Sequence, residues 1–377
     1  MCVMEPLIII GTGLAGYTLA KEYRKHDSYS PLTLITTDDG RYYSKPMLSI
    51  GMSRKQIDTA DAQEMAEQLN ATILTNTRVT AIDPQHHLIK IGNDELRYRQ
   101  LVLAWGADVL QLDVQGDGTE EIYSVNNLQS YEIFRKAVSG KKRVAIIGSG
   151  LVGCEFANDL IAAEHHVELI SQSHSLMPKL LPADVAAPLQ SCLQTLGVRF
   201  HFGVGLEEVN RIENGLELTL TNGKLIHTDV VLSAIGIKPH ITMALEAGLE
   251  VNEGIQVNHL LETSAPDVFA LGDCAEVEGH VLLYVMPLMA CAKTLARTLA
   301  GHPTPLRYGP MPVGVKTPIC PVVVCSPPRG CTGQWQIHAE GLDVRACFVK
   351  DEKLFGYALT GRYVKEKYAL NKQLTIN

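Results

Sequence analysis

The sequence predicts an α/β protein, because a unit of strand, glycine-rich turn, helix and second strand occurs in it twice. The first copy starts with the apolar run at residues 7–10 and the second with the run at residues 144–147. A G-x-G-x-x-G sequence follows each run directly, at residues 11–16 and 148–153. A further apolar strand that ends in glycine follows each copy, at residues 101–106 and 230–236. Two matched units of this kind predict two domains with parallel sheets.

Length and composition fit a globular protein of this class. The chain has 377 residues, which suits two or three domains of about 150 residues each. Apolar residues make up 46% and charged residues 20%, and the formal net charge is −8, which argues against binding to nucleic acid. The longest apolar run, residues 281–292, contains a proline and falls short of the roughly 18 residues of a membrane span. We therefore expect neither a nucleic-acid partner nor a membrane.

The cysteines and the N-terminal residues favour a cytoplasmic location. The first residues lack the basic start and the small-residue cleavage site of an export signal. Nine cysteines are scattered over the chain, and we expect them to be reduced thiols. Cys320 and Cys325 have a C-x4-C spacing, but residues five apart on a strand point to opposite faces. A disulfide between them would need a break in the strand, so both are expected to pack in the core as thiols. The histidines show no metal-ligand spacing, so no metal site is expected.

The two glycine motifs predict two dinucleotide sites. In the first motif Gly11 permits a tight turn, Gly13 lets a pyrophosphate approach the backbone, and Gly16 lets the helix pack on the strand. The helix that follows offers free N–H groups and its positive dipole end to the phosphates. Two sites in one chain suit a flavin that is held permanently and a nicotinamide that exchanges. The expected binding residues are Gly11, Thr12, Gly13, Leu14, Ala15 and Gly16 in the first motif, and Gly148, Gly150, Leu151, Val152 and Gly153 in the second.

A later strand carries a resemblance to a known family. Residues 268–271 form an apolar run that ends in Gly272 and Asp273. Together with the paired glycine motifs, this segment resembles the FAD-dependent pyridine-nucleotide reductases that bind two dinucleotides. In that family the aspartate accepts a hydrogen bond from the ribityl chain of the flavin. The alternative for Asp273 is a helix N-cap.

Further segments are similar to one subgroup, the bacterial NADH:rubredoxin reductases. They are the sequences SKPMLS at residues 44–49, GCEFAND at 153–159, GDCAE at 272–276, YVMPLM at 284–289 and VKTP at 315–318. The resemblance extends from residue 7 to about residue 370. It implies an FAD-binding domain of residues 1–110 and 241–311, an NAD-binding domain of residues 111–240, and a small C-terminal α+β domain of residues 312–377.

The resemblance also assigns catalytic residues. It implies that Lys45 lies beside flavin N5 and pairs with Glu155, which makes these two the candidate catalytic residues. A cation near N5 stabilises the anionic reduced flavin, and a carboxylate keeps that lysine charged. The alternative is a surface lysine and a first-turn glutamate that complements the helix dipole. Lys316 lies in an apolar segment and needs a partner; the resemblance places it near the flavin, and a structural salt bridge is the alternative.

Other positions are implied to contact the cofactors. Val285, at the start of a helix, would offer its N–H group to the pyrimidine end of the flavin, and Val79 would contact adenine. The remaining candidates are Pro46, Ala104, Trp105, Gly106 and Gly272 for FAD, and Glu155, Ile235 and Gly236 for NAD.

Two strand ends depart from the pattern of the family. The acid that binds the adenosine ribose usually ends the second strand, but Thr36 stands there, so Asp38 is expected to serve. The equivalent segment of the second unit, residues 169–174, has neither an acid for a free 2′-hydroxyl nor an arginine for a 2′-phosphate. The absence of arginine favours NADH. Trp105 replaces a threonine that is often found in the family.

The resemblance implies a reductase that takes a hydride from NADH and passes single electrons to rubredoxin, a small iron–thiolate protein, in alkane hydroxylation or oxidative-stress pathways. Flavorubredoxin in nitric oxide detoxification, or ferredoxin, is the alternative partner. A non-catalytic NADH-sensing flavoprotein is the alternative from another class. No redox cysteine occurs in residues 41–49, which argues against disulfide reduction and against one branch of the NADH oxidases.

An acidic partner requires a basic patch on this acidic chain. Because rubredoxins are acidic, we expect Lys45, Lys316 and either Arg41 or Lys365 to form a local basic face. The family members that the sequence resembles are often monomers, so a monomer is expected.

Overall fold

The structure is a computed structural model that describes residues 4–54 and 56–375. The chain forms two compact units. Unit 1 consists of Met1–Lys45, Asp58–Asp108 and Ile237–Tyr308. Unit 2 consists of Pro46–Ile57, Val109–Gly236 and Gly309–Asn377. The chain passes from one unit to the other five times, after Lys45, Ile57, Asp108, Gly236 and Tyr308.

Unit 1 is built on a five-stranded parallel sheet. Its strands, in spatial order, are Val268–Ala270, Gln100–Leu103, Leu7–Ile10, Leu32–Ile35 and Thr72–Leu74. Smaller sheets comprise Val79–Asp83, Leu88–Ile91 and Asp94–Arg97; Tyr42–Tyr43 and Thr59–Ala60; and Ile255–Val257 and Ala275–Val277. The helices are Leu14–Arg24, Ala62–Leu69, Thr242–Glu246 and Val285–Leu299, with a 3₁₀ helix at Gly272–Cys274. All four residues of the strand Leu7–Ile10 are buried, which explains its unbroken apolar sequence.

Unit 2 repeats this plan and adds an antiparallel sheet. Its parallel sheet consists of Ile122–Ser124, Val230–Ser233, Arg143–Ile147, His166–Ser171 and Arg199–Phe202. A three-stranded sheet comprises Leu206–Ile212, Gly215–Leu220 and Leu225–Thr228. The C-terminal antiparallel sheet runs in the order Val313–Val315, Val322–Cys325, Lys353–Thr360, Asp343–Lys350 and Gln334–Glu340. The α-helices are Leu128–Val138, Leu151–Ala162, Ala183–Thr195 and Lys367–Asn371; 3₁₀ helices lie at Lys45–Ile50, Thr119–Glu121 and Gly361–Glu366.

The predicted fold class is confirmed, including the small C-terminal α+β portion. The domain bounds that the resemblance implies stay a prediction. The C-terminal sheet belongs to unit 2, because Val322 and Val344 share one hydrophobic core with Leu189 of the helix Ala183–Thr195. Pro46–Ile57 also belongs to unit 2, because it is hydrogen-bonded to the helix Leu151–Ala162.

Among the described residues, no helix combines the length and the apolar character needed to cross a membrane. The same residues contain no cluster of three or more histidine, cysteine, aspartate and glutamate side chains that could hold a metal ion.

Asp229 joins the starts of two neighbouring strands in unit 2, and replacing it by asparagine tests this link. Its carboxylate accepts hydrogen bonds from the Arg143 guanidinium and from the backbone N–H groups of Lys142 and Arg143. Burial raises the pKa of Asp229, but these hydrogen bonds outweigh it and lower the pKa to about 2. The depressed pKa contributes stability that is present above the ordinary value of 3.8 and is lost as pH falls through about 2. We expect Asp229→Asn to lower the free energy of unfolding by about 2 kcal/mol at pH 7.

Urea denaturation measures this effect at pH 7 and at several pH values between about 4 and about 2, the range in which the Asp229 carboxylate titrates. The deficit of the variant should shrink as the pH falls. Glu213→Gln, at an exposed position in the same unit, is the control. Parallel pH profiles for the wild type and Asp229→Asn would contradict the prediction.

Candidate functional site

The first glycine turn lies in unit 1 between the strand Leu7–Ile10 and the helix Leu14–Arg24. Gly11 has φ +114°, and a Cβ atom there would overlap the carbonyl oxygen of Ala104. A Cβ atom at Gly16 would overlap the carbonyl oxygen of Gly11. At Gly13, by contrast, a Cβ atom would meet no described atom within 4 Å. The packing of the protein thus requires the outer two glycines, while the middle one faces open space.

The second turn, in unit 2, has the same geometry. Gly148 has φ +113°, and its Cβ atom would lie 2.5 Å from the carbonyl oxygen of Ala234. A Cβ atom at Gly153 would overlap the carbonyl oxygen of Gly148, whereas Gly150 has no atom of the described chain within 4 Å of that position. The steric surroundings of the outer and middle glycines are therefore the same at both turns, and the approach of a pyrophosphate to the middle glycine stays a prediction.

Both turns leave the start of a helix available to an anion. Gly13 and Gly150 are the N-cap residues, and within the described part of the chain no side chain caps either helix. The first N–H groups of a helix have no partner within the helix, and the positive end of its dipole lies there. A phosphate group placed over Gly13 or Gly150 would receive these hydrogen bonds. The two turns fit the two dinucleotides that the sequence predicts.

The strand ends that face these turns are also matched. Ala104 and Ala234 donate backbone hydrogen bonds to the last residues of the neighbouring strands, Ile10 and Ile147. The glycines that end the two segments, Gly106 and Gly236, both have positive φ. Trp105 donates its indole N–H to the carbonyl oxygen of His240 at 2.8 Å. Trp105 thus forms a fixed contact within unit 1, at a position where the family often has threonine.

Asp38 lies in a turn after the second strand of unit 1. Its Oδ1 atom accepts hydrogen bonds from the Thr36 hydroxyl at 2.7 Å and from the N–H group of Gly40 at 2.9 Å. This carboxylate oxygen is therefore engaged in shaping the turn. Val79, the predicted adenine contact, is buried at the start of the strand Val79–Asp83.

The corresponding strand of unit 2 ends at Ser171. Its hydroxyl lies 2.8 Å from the hydroxyl of Ser149, the second residue of the glycine motif. The strand end is therefore tied to the glycine turn by two buried serines.

The structure brings Lys45 and Asp273 together in unit 1. Lys45 Nζ lies 3.3 Å from Asp273 Oδ2. Gly272 has φ +79°, and a Cβ atom there would lie 2.8 Å from the Cβ atom of Ala15, so this segment packs closely against the first glycine turn. Leu271, and not Asp273, is the N-cap residue of the short helix that follows. The N-cap alternative for Asp273 is therefore wrong.

Val285 begins a helix, as predicted. The helix Val285–Leu299 starts there, and no side chain among the described residues caps it at Tyr284. The backbone N–H of Val285 thus lies in the first turn, where N–H groups have no partner within the helix.

Glu155 is the centre of a buried polar cluster in unit 2. Only 1% of its side chain is exposed. Its carboxylate accepts hydrogen bonds from Ser49 Oγ at 2.5 Å, from Lys316 Nζ at 2.5 Å and from Lys316 N at 2.9 Å. Within unit 2 the ionic partner of Glu155 is therefore Lys316, and within unit 1 that of Lys45 is Asp273; the pairing of Lys45 with Glu155 stays a prediction. The 3₁₀ helix Lys45–Ile50 presents Ser49 to Glu155, and the end of the strand Val313–Val315 presents Lys316.

Asp159, one helical turn after Glu155, was not among the residues predicted from the sequence. Asp159 is buried and accepts hydrogen bonds from Met52 N at 2.6 Å and from the N–H and hydroxyl groups of Ser53. Burial raises the pKa of Asp159, and these hydrogen bonds lower it only in part. The i, i+4 spacing of the two acids was the available signal, since it places both on one helix face. Together they fasten residues 46–57 to the helix.

The cysteines are packing residues in the structure. The eight cysteines that it describes are free, and all except Cys331 are buried. Burial raises the pKa of Cys274 to about 12 and that of Cys291 to about 11, so these thiols stay protonated at neutral pH. Cys320 and Cys325 belong to different hydrophobic clusters, and Cys320 precedes the strand Val322–Cys325 instead of lying on it.

The expected basic face is less basic than the sequence suggested. Lys45, Lys316 and Arg41 each have a carboxylate partner, the last of these being Asp39 at 2.8 Å. Lys365 is exposed, in the 3₁₀ helix Gly361–Glu366. Only part of the predicted positive charge is therefore uncompensated.

Comparisons with known proteins agree with this geometry. Residues 5–295 match the family described as pyridine nucleotide-disulphide oxidoreductase. Residues 305–374 match the rubredoxin binding C-terminal domain. Among solved structures, the ferredoxin reductase for the CYP199A2 system from Rhodopseudomonas palustris is similar, with a TM-score of 0.89 at 23% identity over 99% of this chain and 96% of that one. At this identity the likeness concerns the fold.

Two relatives extend over nearly the whole chain. The rubredoxin-NAD(+) reductase of Alcanivorax borkumensis is 50% identical over 98% of this chain and 99% of its own length. The nitric oxide reductase FlRd-NAD(+) reductase of Aeromonas salmonicida is 36% identical over 99% of this chain and 97% of its own length. The resemblance stated from the motifs is confirmed. The chain belongs to the pyridine nucleotide-disulphide oxidoreductase family.

Proposed function

We propose that this protein is an FAD-dependent reductase that takes a hydride from NADH and passes electrons one at a time to rubredoxin. One observation carries the proposal: a single chain combines two glycine turns that fit dinucleotides with a C-terminal segment that matches a rubredoxin-binding domain. The identity of 50% to a rubredoxin-NAD(+) reductase supports rubredoxin over flavorubredoxin, since the FlRd-NAD(+) reductase is 36% identical.

The proposed FAD site lies on the first glycine turn. Bound FAD would supply the conversion of one hydride into two single-electron transfers. Gly13 and the open helix start after it would bind the pyrophosphate, and Asp273 would accept a hydrogen bond from the ribityl chain. Lys45 would place a positive charge at the flavin, and Asp273 orients it. The other FAD residues proposed from the resemblance are Gly11, Thr12, Leu14, Ala15, Gly16, Asp38, Pro46, Val79, Ala104, Trp105, Gly106, Gly272, Val285 and Lys316.

The proposed NAD site lies on the second turn. Gly150 and the start of the helix Leu151–Ala162 would bind the pyrophosphate of NADH. We propose NADH and not NADPH, because residues 171–174 contain no arginine for a 2′-phosphate. Glu155 would act through Lys316, which it holds by two hydrogen bonds, and is therefore a positioning residue. Gly148, Leu151, Val152, Gly153, Ile235 and Gly236 complete this proposed site.

We also propose a cytoplasmic location and a monomer. The free thiols of the described cysteines support a reducing compartment. Sedimentation of the purified protein checks the monomer.

Anaerobic stopped-flow mixing with NADH tests the reductase. We expect the flavin absorbance to bleach within seconds and to recover when oxidised rubredoxin is added. Rubredoxin, flavorubredoxin and ferredoxin are compared in the second half-reaction, and rubredoxin should be reduced fastest. A flavin that NADH does not bleach would instead indicate a sensor.

Replacing Lys45 by methionine tests its role. We expect flavin reduction by NADH to slow at least about tenfold, because the charge that stabilises the reduced flavin is removed. FAD content should stay the same, since the other contacts of the site remain. Lys90→Met, at an exposed lysine of unit 1, is the control. An unchanged rate of reduction would rule out a role for Lys45 in this step.

A further inference from the structure

A groove of about 460 Å³ opens on the surface of unit 2. It lies between the helix Leu151–Ala162, the end of the helix Ala183–Thr195, and two loops at residues 50–54 and 316–319. Residues that line it include Ile50, Arg54, Asn158, Leu196, Lys316 and Ile319. We call it the α4 groove, after Leu151–Ala162, the fourth α-helix of the chain.

Large apolar side chains are exposed along the α4 groove. Leu196 is 44% exposed and Ile319 is 42% exposed, and Ile50 adds a third aliphatic side chain to the lining. Aliphatic side chains grouped at a concave surface favour contact with an apolar side chain of a partner, because the contact removes them from water.

One exposed cation stands at the rim of the groove, although the chain as a whole is acidic. Arg54 is exposed at one side, while Lys316, at the other side, is paired with the buried Glu155. The carboxylate in the lining, Asp159, is buried and bound to the N–H groups of Met52 and Ser53. The rim therefore suits a partner with a carboxylate beside an apolar side chain.

The groove is continuous with the segment that matches a rubredoxin-binding domain. Lys316 and Ile319 belong to that segment, residues 305–374, whereas Arg54, Asn158 and Leu196 lie outside it. A protein that contacts this edge of the segment would also contact the helices beside it.

We propose that the α4 groove is a docking site for rubredoxin. An apolar side chain of the partner packs against Leu196 and Ile319, and a neighbouring carboxylate faces Arg54. This inference rests on the proposed function and extends the binding surface beyond residues 305–374.

Charge introduced into the groove tests the proposal. We expect Ile319→Glu and Leu196→Glu each to raise both the Kd for rubredoxin and the KM for rubredoxin at least tenfold. The rate with NADH and ferricyanide, a small acceptor that needs no docking site, should stay within twofold of wild type. Leu225→Glu, at a leucine of unit 2 that is 54% exposed, is the matched control. If a glutamate variant loses FAD or unfolds, Ile319→Ser replaces it, and both the Kd and the KM for rubredoxin are expected to rise at least threefold.

The role of Arg54 is tested by salt. The Kd of the wild type should rise with ionic strength, and that of Arg54→Glu should be higher and should rise less steeply. Arg199→Glu, at an exposed arginine of unit 2, is the control for total charge.

Binding and electron transfer separate the two proposals. If the wild type reduces rubredoxin but the groove variants bind it as tightly as Leu225→Glu does, the α4 groove is not the docking site, and the proposed reductase function is retained. If NADH reduces the flavin and rubredoxin binds but is not reduced, the proposed function is wrong. The Kd values of the variants then still show whether rubredoxin docks in the α4 groove. If rubredoxin does not bind at all, both are overturned.

Discussion

Replacement of Glu155 by leucine is expected to destabilise unit 2 by about 3 kcal/mol, because a buried charge pair would lose one partner. Glu155 receives three hydrogen bonds, one from Ser49 and two from Lys316. Leucine fills a similar volume but accepts none of them. Since 28% of the Lys316 side chain is exposed, water would solvate part of its charge, and the loss lies at the lower end of the usual range.

A double-mutant cycle measures this coupling. Lys316→Met, Glu155→Leu and the double variant are compared by urea denaturation, and we expect the double variant to recover at least about 1 kcal/mol of the summed losses. Ser49→Ala, which removes one donor and no charge, should cost about 1 kcal/mol. A Glu155→Leu variant as stable as the wild type would contradict the proposed cluster.

The same variants separate a positioning role of Glu155 from a catalytic one. If Glu155 acts only by holding Lys316, flavin reduction by NADH should slow equally in Glu155→Leu and Lys316→Met, and the double variant should be no slower. A much slower reaction in Glu155→Leu than in Lys316→Met would restore Glu155 as a catalytic residue in its own right.

The glycine turns were predictable from the sequence because their geometry is local. The turn, the strand before it and the helix after it fit within about a dozen residues, and the spacing of the glycines is set by backbone contacts inside that segment. The same contacts recur in both units, where Gly16 lies against Gly11 and Gly153 against Gly148.

The charged pairs were not predictable, because they depend on how distant segments meet. Lys45 and Pro46 are neighbours in sequence, yet they belong to different units, and Ser49 reaches Glu155 while Lys45 reaches Asp273. A local sequence pattern gives no signal for a contact between residues that lie more than 100 positions apart. Asp159 was missed for a related reason, since its partners are backbone N–H groups, which every residue type except proline offers.

Two neighbouring glycines of the second motif are expected to respond to alanine in opposite ways. Gly148→Ala should destabilise unit 2 by about 2–4 kcal/mol, because the residue has φ +113° and the new Cβ atom would lie 2.5 Å from the carbonyl oxygen of Ala234. Gly150→Ala should change stability by less than about 0.5 kcal/mol. Its backbone has φ −69° and ψ −177°, which any residue adopts, and the added methyl group would face open space.

In ligand binding, Gly150→Ala is the variant that should show a defect. The methyl group of Gly150→Ala would occupy the space over the helix start, where the NADH pyrophosphate is proposed to bind. We expect the KM for NADH to rise at least about tenfold, which corresponds to about 1.4 kcal/mol. FAD content should not change, because the first turn is untouched.

The pair at the first turn extends the test to FAD. Gly11→Ala should destabilise unit 1 for the same steric reason as Gly148→Ala, whereas Gly13→Ala should keep the fold and weaken retention of FAD. Urea denaturation, the ratio of FAD to protein after purification, and the KM for NADH distinguish all four variants. Because an added Cβ atom at either middle glycine would meet no described atom within 4 Å, a binding defect without a loss of stability at Gly13 or Gly150 indicates that the ligand occupies this space. Normal binding by Gly150→Ala would show that NADH approaches the protein elsewhere.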